Sequence, residues 1–360
     1  MIGCLLRRGA VVPRRYVALD GVRGILAIAV VIHHYAQLYH SDWMGKAWVS
    51  VDAFFILSGF VVFHSYAGKI QSGMSFSQFA KSRLKRLYPM YFIGLCIGLL
   101  GLFVEMGSEG VRVWDIAWAT LSGIFIFPYF NHSVWPAAGV NYSGDLFPLN
   151  PPAWSLFFEL FVNAVFFFWF VKFKKISAAL VCVAVFPVYM WFLHVYGVHS
   201  GWGTDNFFGG IPRVMLYFFI GCLIYKAHFK LPEQAVYKPV ILLVLAMVGF
   251  SFRSNIITYS LLFVFLPLII LLSSRVAVCE DSSVGRGLTW LGGLSYPLYI
   301  THYPLVRFLY PVTHEIGLGD ELNIVLSTIF AIAVAIPLMK FEPALRKILT
   351  MRLFPSFKRV

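Results

Sequence analysis

Apolar runs of near-constant length recur from one end of the 360-residue chain to the other, separated by short polar gaps. A helix rises 1.5 Å per residue and needs about 20 mainly apolar residues to cross a bilayer core. The pattern therefore predicts spans near 17–38, 48–67, 87–107, 152–171, 176–195, 208–225, 239–252, 256–273, 288–310 and 322–341. The shortest is 239–252, and a further apolar segment at 112–128 would make eleven if it crossed. No gap is long enough to fold as a separate water-soluble unit. Residues 1–360 thus read as a single integral-membrane domain, an all-α polytopic membrane protein of about ten transmembrane helices.

Charge decides between ten and eleven, because Lys and Arg accumulate in cytoplasmic loops. Ten spans place 22 of the 29 Lys and Arg residues in segments 1–16, 68–86, 172–175, 226–238, 274–287 and 342–360, and leave Lys46, Arg112 and Arg253 outside. Both termini are then cytoplasmic, with 1–16 and 342–360 as basic tails. A crossing at 112–128 would put Lys172, Lys174 and Lys175 outside, so 108–151 reads as a long extracytoplasmic loop with an interfacial or re-entrant piece. Pro128, Pro136, Pro148, Pro151 and Pro152 suit a shaped loop. The first run carries Asp20 and Arg23 and ends in His33 and His34, the pattern of a retained helix rather than a cleaved leader.

Composition agrees: 59% of residues are hydrophobic and 12% charged, against about a quarter charged in soluble domains. The net charge of +13 sits in the loops, where it orients the chain and gives no reason to expect nucleic acid. Five scattered cysteines without CxxC spacing, and histidines without ligand spacing, predict free thiols and no metal.

Against this background a few polar side chains stand out. A carboxylate, guanidinium or imidazole within the hydrocarbon costs several kcal/mol, so it has a partner, an aqueous cavity or a task. Asp20, Asp52, Glu159, His34 and His302 all lie within predicted spans. The topology puts His34, Asp52, Glu159 and His302 in the outer half of the membrane, with Asp52 able to approach His34. Arg23 lies eleven residues before His34, about 16 Å further in. Arg83 and Arg86, one turn apart at the inner start of the third span, can face one anion.

The segments that hold these residues, LDGVRGILAIAVVIHHY (19–35), VDAFFILSGFVV (51–62), RLKRLYPMYF (83–92), PAWSLFFELFVN (152–163) and LSYPLYITHYPL (294–305), resemble in order the signatures of the acyltransferase 3 family. These are membrane O-acyltransferases of bacterial glycans and related acceptors. The resemblance covers roughly the whole chain. It implies a ten-helix fold in the cell inner membrane, acetyl-CoA or another acyl-CoA as cytoplasmic donor, and a glycan or other hydroxylated acceptor at the outer face. Position by position, the family's first-helix Arg and His fall on Arg23 and His34, and its second-helix acid on Asp52. Its RxxR pair falls on Arg83 and Arg86, its WSLxxE-like acid on Glu159, and a later Arg on Arg213. The C-terminal esterase domain of some relatives is not expected here.

Acyl transfer from a thioester to a hydroxyl needs a base, charge stabilisation for the oxyanion, and an anchor for the donor phosphates. His34 is the candidate base, with Asp52 orienting its ring. Its alternative is a polar cap at the outer interface. Arg83 and Arg86, with Arg23, are candidates to bind the donor, although ordinary positive-inside residues would look alike and Arg23 can simply pair with Asp20. Glu159 is a candidate catalytic acid or a partner for Arg213. His302 is either oxyanion or substrate support, together with Arg213, or a core histidine satisfied by tyrosine hydroxyls. The rival class is a proton-coupled transporter or flippase, expected to show titratable groups stepping across the membrane and internal repeats.

Overall fold

A computed structural model describes residues 15–105, 111–137, 140–172, 177–197 and 200–353. Cys4, Lys174, Lys175, His199 and most of the basic N-terminal tail lie outside the described residues. The described chain is built from helices α1 (Val17–Leu38), α2 (Ser50–Gln71), α3 (Phe76–Glu105), α4 (Val113–Ile124), α5 (Ala153–Lys172) and α6 (Ala178–Tyr196). These are followed by α7 (Phe207–His228), α8 (Tyr237–Gly249), α9 (Asn255–Ser273), α10 (Ser283–Ile316) and α11 (Asp320–Leu353). One short hairpin, Val134–Ala137 with Val140–Ser143, sits between α4 and α5.

Among the described residues, eight helices are long and apolar enough to cross a membrane, and the molecule is an all-α polytopic membrane protein. The two remaining predicted spans are special cases. Helix α8 has only 13 residues, short of the ~20 needed. Helix α10 has 34 residues but carries buried Ser295, Thr301, His302 and Arg307, which make it less apolar. It packs inside, along α1 and α3. Segment 112–128 forms only the 12-residue α4, too short to cross, with Val113, Trp114 and Trp118 exposed. The 342–360 stretch expected as a tail continues as helix to Leu353.

In lipid, apolar side chains gain little by leaving an equally apolar solvent, so helices associate through close packing and polar pairs. Two contacts here set the register of the site. A Cβ on Gly59 would lie 1.9 Å from the Phe218 carbonyl oxygen, and one on Gly221 would lie 2.0 Å from that of Ile56, so α2 and α7 touch backbone to backbone. Likewise a Cβ on Gly24 would lie 2.6 Å from Leu291 Cβ, which draws α1 against α10. The end of the outer loop dips inward: Leu146, Leu149 and Asn150 are buried, and Asn150 Nδ2 donates to the Ile300 carbonyl at 3.0 Å.

Candidate active site

The inward dip of residues 145–150 determines how deep Glu159 lies. Because α5 begins near the level of Ile300 rather than at the membrane surface, Glu159 is carried further in than its place in the sequence suggests. Its Oε1 accepts from Arg83 Nη2 at 2.7 Å, Ser58 Oγ at 2.5 Å and Asn163 Nδ2 at 3.1 Å. The expected pairing with Arg213 and placement beside His34 are therefore corrected: Glu159 belongs with the inner arginines.

Those arginines share one cavity of about 500 Å³. Arg15, Arg23, Arg83, Arg86 and Arg346 line it together with Asp20, Glu159 and Glu342, an excess of two positive charges. Asp20 accepts from Arg15 at 2.9 Å and from Arg23 at 3.2 Å, and Arg346 pairs with Glu342. Arg23 also donates to the Gly292 carbonyl at 2.8 Å. Arg86 has no ion-pair partner among the described residues. Buried Arg83 spends Nη2 on Glu159 and leaves Nε and Nη1 without partners. An unmatched buried guanidinium is costly, and planar forks of N–H groups suit phosphate oxygens. The lining thus carries the surplus positive charge and free guanidinium donors that an anion site needs. Along α2 its lining runs from His64 to Val51, thirteen residues or about 20 Å.

The second centre lies just beyond the outer end of that cavity. The close approach of α1 and α10 brings His34 Nδ1 to 2.9 Å from His302 Nε2, with the rings stacked at 5.1 Å. His302 is fully buried, and its Nδ1 faces the carbonyls of Tyr299 at 2.7 Å and Leu298 at 3.2 Å. Carbonyls only accept, so His302 Nδ1 carries the proton and its Nε2 presents a lone pair. His34 must then donate from Nδ1, which leaves His34 Nε2 as the basic nitrogen. The ring is held in one tautomer by a second imidazole, the part that a carboxylate plays in a hydrolase triad. The tyrosine hydroxyls expected around His302 act differently: Tyr35 donates to the His302 backbone carbonyl at 2.7 Å. Neighbouring His33 turns away, its Nδ1 within 3.1 Å of the Met44 carbonyl.

Asp52 does not orient His34. Both of its oxygens are taken by Arg213, at 2.7 Å from Nε and 2.9 Å from Nη2, in a bidentate pair shielded from solvent. The guanidinium also donates to the Ser200 carbonyl at 2.9 Å and lies over Trp154 and Trp48, 5.2 and 5.6 Å from the ring centres. The α2–α7 backbone contact explains this choice, since it fixes Asp52 opposite Arg213. Sequence reasoning missed Arg15, Glu342, Arg346 and Tyr299 as lining residues. For Arg346, the only signal was that it falls four residues after Glu342 in a basic stretch.

A polytopic bundle with an internal arginine-lined cavity that ends one turn short of an oriented imidazole pair has the architecture of a membrane-embedded group-transfer protein. The chain belongs to the acyltransferase 3 family: the family's acyltransferase domain matches residues 16–340. It is 35% identical over 168 residues to protein 2 in the picA locus of Rhizobium radiobacter, covering 44% of this chain and 83% of that one. It is 26% identical over 307 residues to the putative membrane-bound transacylase BcsY of Komagataeibacter xylinus, covering 79% and 72%. The O-acetyltransferase OatA of Staphylococcus aureus is 23% identical over 325 residues, which cover 82% of this chain and 51% of OatA. The chain therefore spans about half of OatA's length. No solved structure matches.

Proposed function

We propose that this membrane acyltransferase moves an acetyl or other short acyl group from cytoplasmic acyl-CoA to a hydroxyl of an extracytoplasmic or lipid-linked glycan, in the cell inner membrane. One observation carries the reading. The cavity that gathers Arg23, Arg83 and Arg86 ends at Tyr299, one turn before His302. A donor whose phosphates rest on the arginines places an extended pantetheine arm along the cavity toward the histidine pair. Arg83, with two buried N–H-bearing nitrogens unpartnered, and Arg86 supply the phosphate contacts.

In the transfer step, His34 Nε2 takes the acceptor hydroxyl proton as the oxygen attacks the thioester carbonyl. The tetrahedral intermediate collapses with loss of the C–S bond, and the imidazolium returns the proton to the leaving thiolate. His302 holds the His34 ring throughout. Asp52 and Glu159, each already matched to an arginine, hold the helices and the donor site in place. That pairing also disfavours the transporter reading, because neither carboxylate is left to relay protons.

The test compares wild type and His34→Ala in nanodiscs for acetyl-CoA binding and for thiol release in the presence of a glycan extract. Binding by both with thiol release by wild type alone supports the reading. Equal thiol release by the two proteins refutes His34 as the base.

A further inference from the structure

The cavity and the histidine pair do not meet. At its outer end the cavity is lined by Val51, Phe54, Ser155 and Tyr299, while neither His34 nor His302 lines it. The Phe54 and Tyr299 rings close edge to face, 5.6 Å between centroids at 82°. Tyr299 Oη is 2.8 Å from Ser155 Oγ, and Ser155 donates on to the Pro152 carbonyl at 2.9 Å. This hydrogen bond ties the ring to α5. The carbonyl of the same Tyr299 fixes the tautomer of His302. A thioester delivered through the cavity therefore stops on one side of the Tyr299 ring, with the base on the other.

The backbone ladder of α10 is thinned at this place. Pro297 and Pro304 bracket Tyr299 and His302 within α10. A proline inside a helix removes the hydrogen bond to the carbonyl four residues before it. The carbonyl freed by Pro304 is that of Ile300, and it is held instead by the Asn150 side chain from the dipping outer loop. One carbonyl of the turn that follows Tyr299 is thus held by the side chain of a neighbouring element rather than by its own helix.

We infer that Phe54 and Tyr299 form a barrier between the acyl donor and His34, and that this barrier sets the partition between transfer to the acceptor and loss to water. His34 is half-buried, unlike fully buried His302, so it is the ring of the pair that water can reach. With the barrier permanently open, water replaces the acceptor. His34 Nε2 takes a proton from water, the water oxygen bonds to the thioester carbonyl carbon, the C–S bond breaks, and the thiolate takes the proton back, giving a carboxylic acid and a free thiol. The inference rests on the acyl-CoA reading above.

The test uses full-length Phe54→Ala in nanodiscs, with Phe54→Leu as a milder variant that loses the edge-to-face contact at smaller cost in volume. Coenzyme A binding is measured by calorimetry and acetyl-CoA hydrolysis by thiol release without any acceptor. The expected result is that coenzyme A still binds and that thiol release at saturating acetyl-CoA is raised by about tenfold. Adding His34→Ala returns thiol release to the wild-type baseline. Retained coenzyme A binding with unchanged thiol release in both variants overturns the barrier. So does a rise that persists without His34. If wild type itself fails to bind coenzyme A, the donor reading falls and takes this inference with it.

Discussion

Asp52 separates two accounts of this site, and Asp52→Asn distinguishes them. In the structure both carboxylate oxygens are held by Arg213, and neither residue is more than 2% exposed. The amide keeps the shape but not the charge, so the guanidinium remains buried with one neutral acceptor where it had a bidentate anion. Two charge-assisted hydrogen bonds are each worth ~1.5–3 kcal/mol, and breaking a buried pair by removing one partner costs ~3–5 kcal/mol. The Ser200 carbonyl and the faces of Trp154 and Trp48 remain, so the lower part of that range sets the floor. A loss of ~3–5 kcal/mol is a large share of an ordinary folding free energy of ~5–15 kcal/mol. Denaturation in mild detergent, followed by tryptophan fluorescence, reads it directly. Arg213→Met should cost less, because an unpaired carboxyl can accept a proton whereas a guanidinium cannot lose one. The double variant Asp52→Leu/Arg213→Met should recover most of the loss, as apolar replacement of a buried pair often does. The reasoning is refuted if Asp52→Asn unfolds like wild type yet loses turnover selectively, for then Asp52 serves the histidine after all.

Three further outcomes follow from the geometry. His302→Ala frees the His34 ring to adopt the wrong tautomer, so kcat should fall by ~10²–10⁴, the scale of removing the orienting member of a triad, while coenzyme A binds as before. An equal loss of binding would make His302 a packing residue. Arg86→Ala removes the guanidinium that has no internal partner and should weaken coenzyme A binding at least tenfold, an effect that added salt shrinks. Arg346→Ala, half exposed and already paired with Glu342, should weaken it less. If the order of the two is reversed in calorimetry, the anion sits nearer α11 than the cavity indicates. Finally, burial pushes the carboxyl of Asp145, in the outer loop, up to about 6, with Arg307 partly offsetting it. A folded value above the ordinary ~3.9 means that the native state holds this proton more tightly than the unfolded chain. Its contribution is fully present below about pH 4 and is lost as pH rises toward 6. Stability should decline across that window, and Asp145→Asn should flatten the decline. A slope that survives the substitution assigns it to other groups.

The pattern of apolar runs announced the helices well because each one must satisfy its own backbone in lipid, so length and hydrophobicity alone constrain it. It found α10 at 288–310 but not its full extent, Ser283–Ile316, nor that its buried His302, Thr301 and Arg307 face protein, and it missed the length of α3, which begins at Phe76. The unusual residues were legible as a set: Arg23, Arg83 and Arg86 do share a cavity, and His34 does meet His302. Their pairing was not. Depth read from distance along a span assumes that every span starts at the surface, and α5 does not, because Asn150 pulls the preceding loop inward to Ile300. That single dip moves Glu159 from the company of His34 to that of Arg83. Asp52 was misassigned for a similar reason, since nothing in a linear pattern shows that Gly59 and Gly221 press α2 onto α7 rather than onto α1.

These two corrections change the logic of the site. If Asp52 and Glu159 flanked His34, the reaction centre would hold two anions next to a base, and the arginines would stand apart as a surface feature. With each carboxylate matched to an arginine, the histidine pair is left as the basic centre and the surplus positive charge gathers in the inner cavity, where the proposed donor would rest its phosphates. The neutral stretch between them, about 16 Å from Arg23 to His34 along α1, is lined by Phe54, Phe55, Leu57 and Val61. It therefore offers nothing to hold the charged part of the donor. On the proposed acyl-CoA reading, the donor's charge stays at one end, its thin arm lies along the middle, and only the acyl group has reason to reach the other end. On that reading, the same division would pass an acyl group outward without carrying the nucleotide through the membrane.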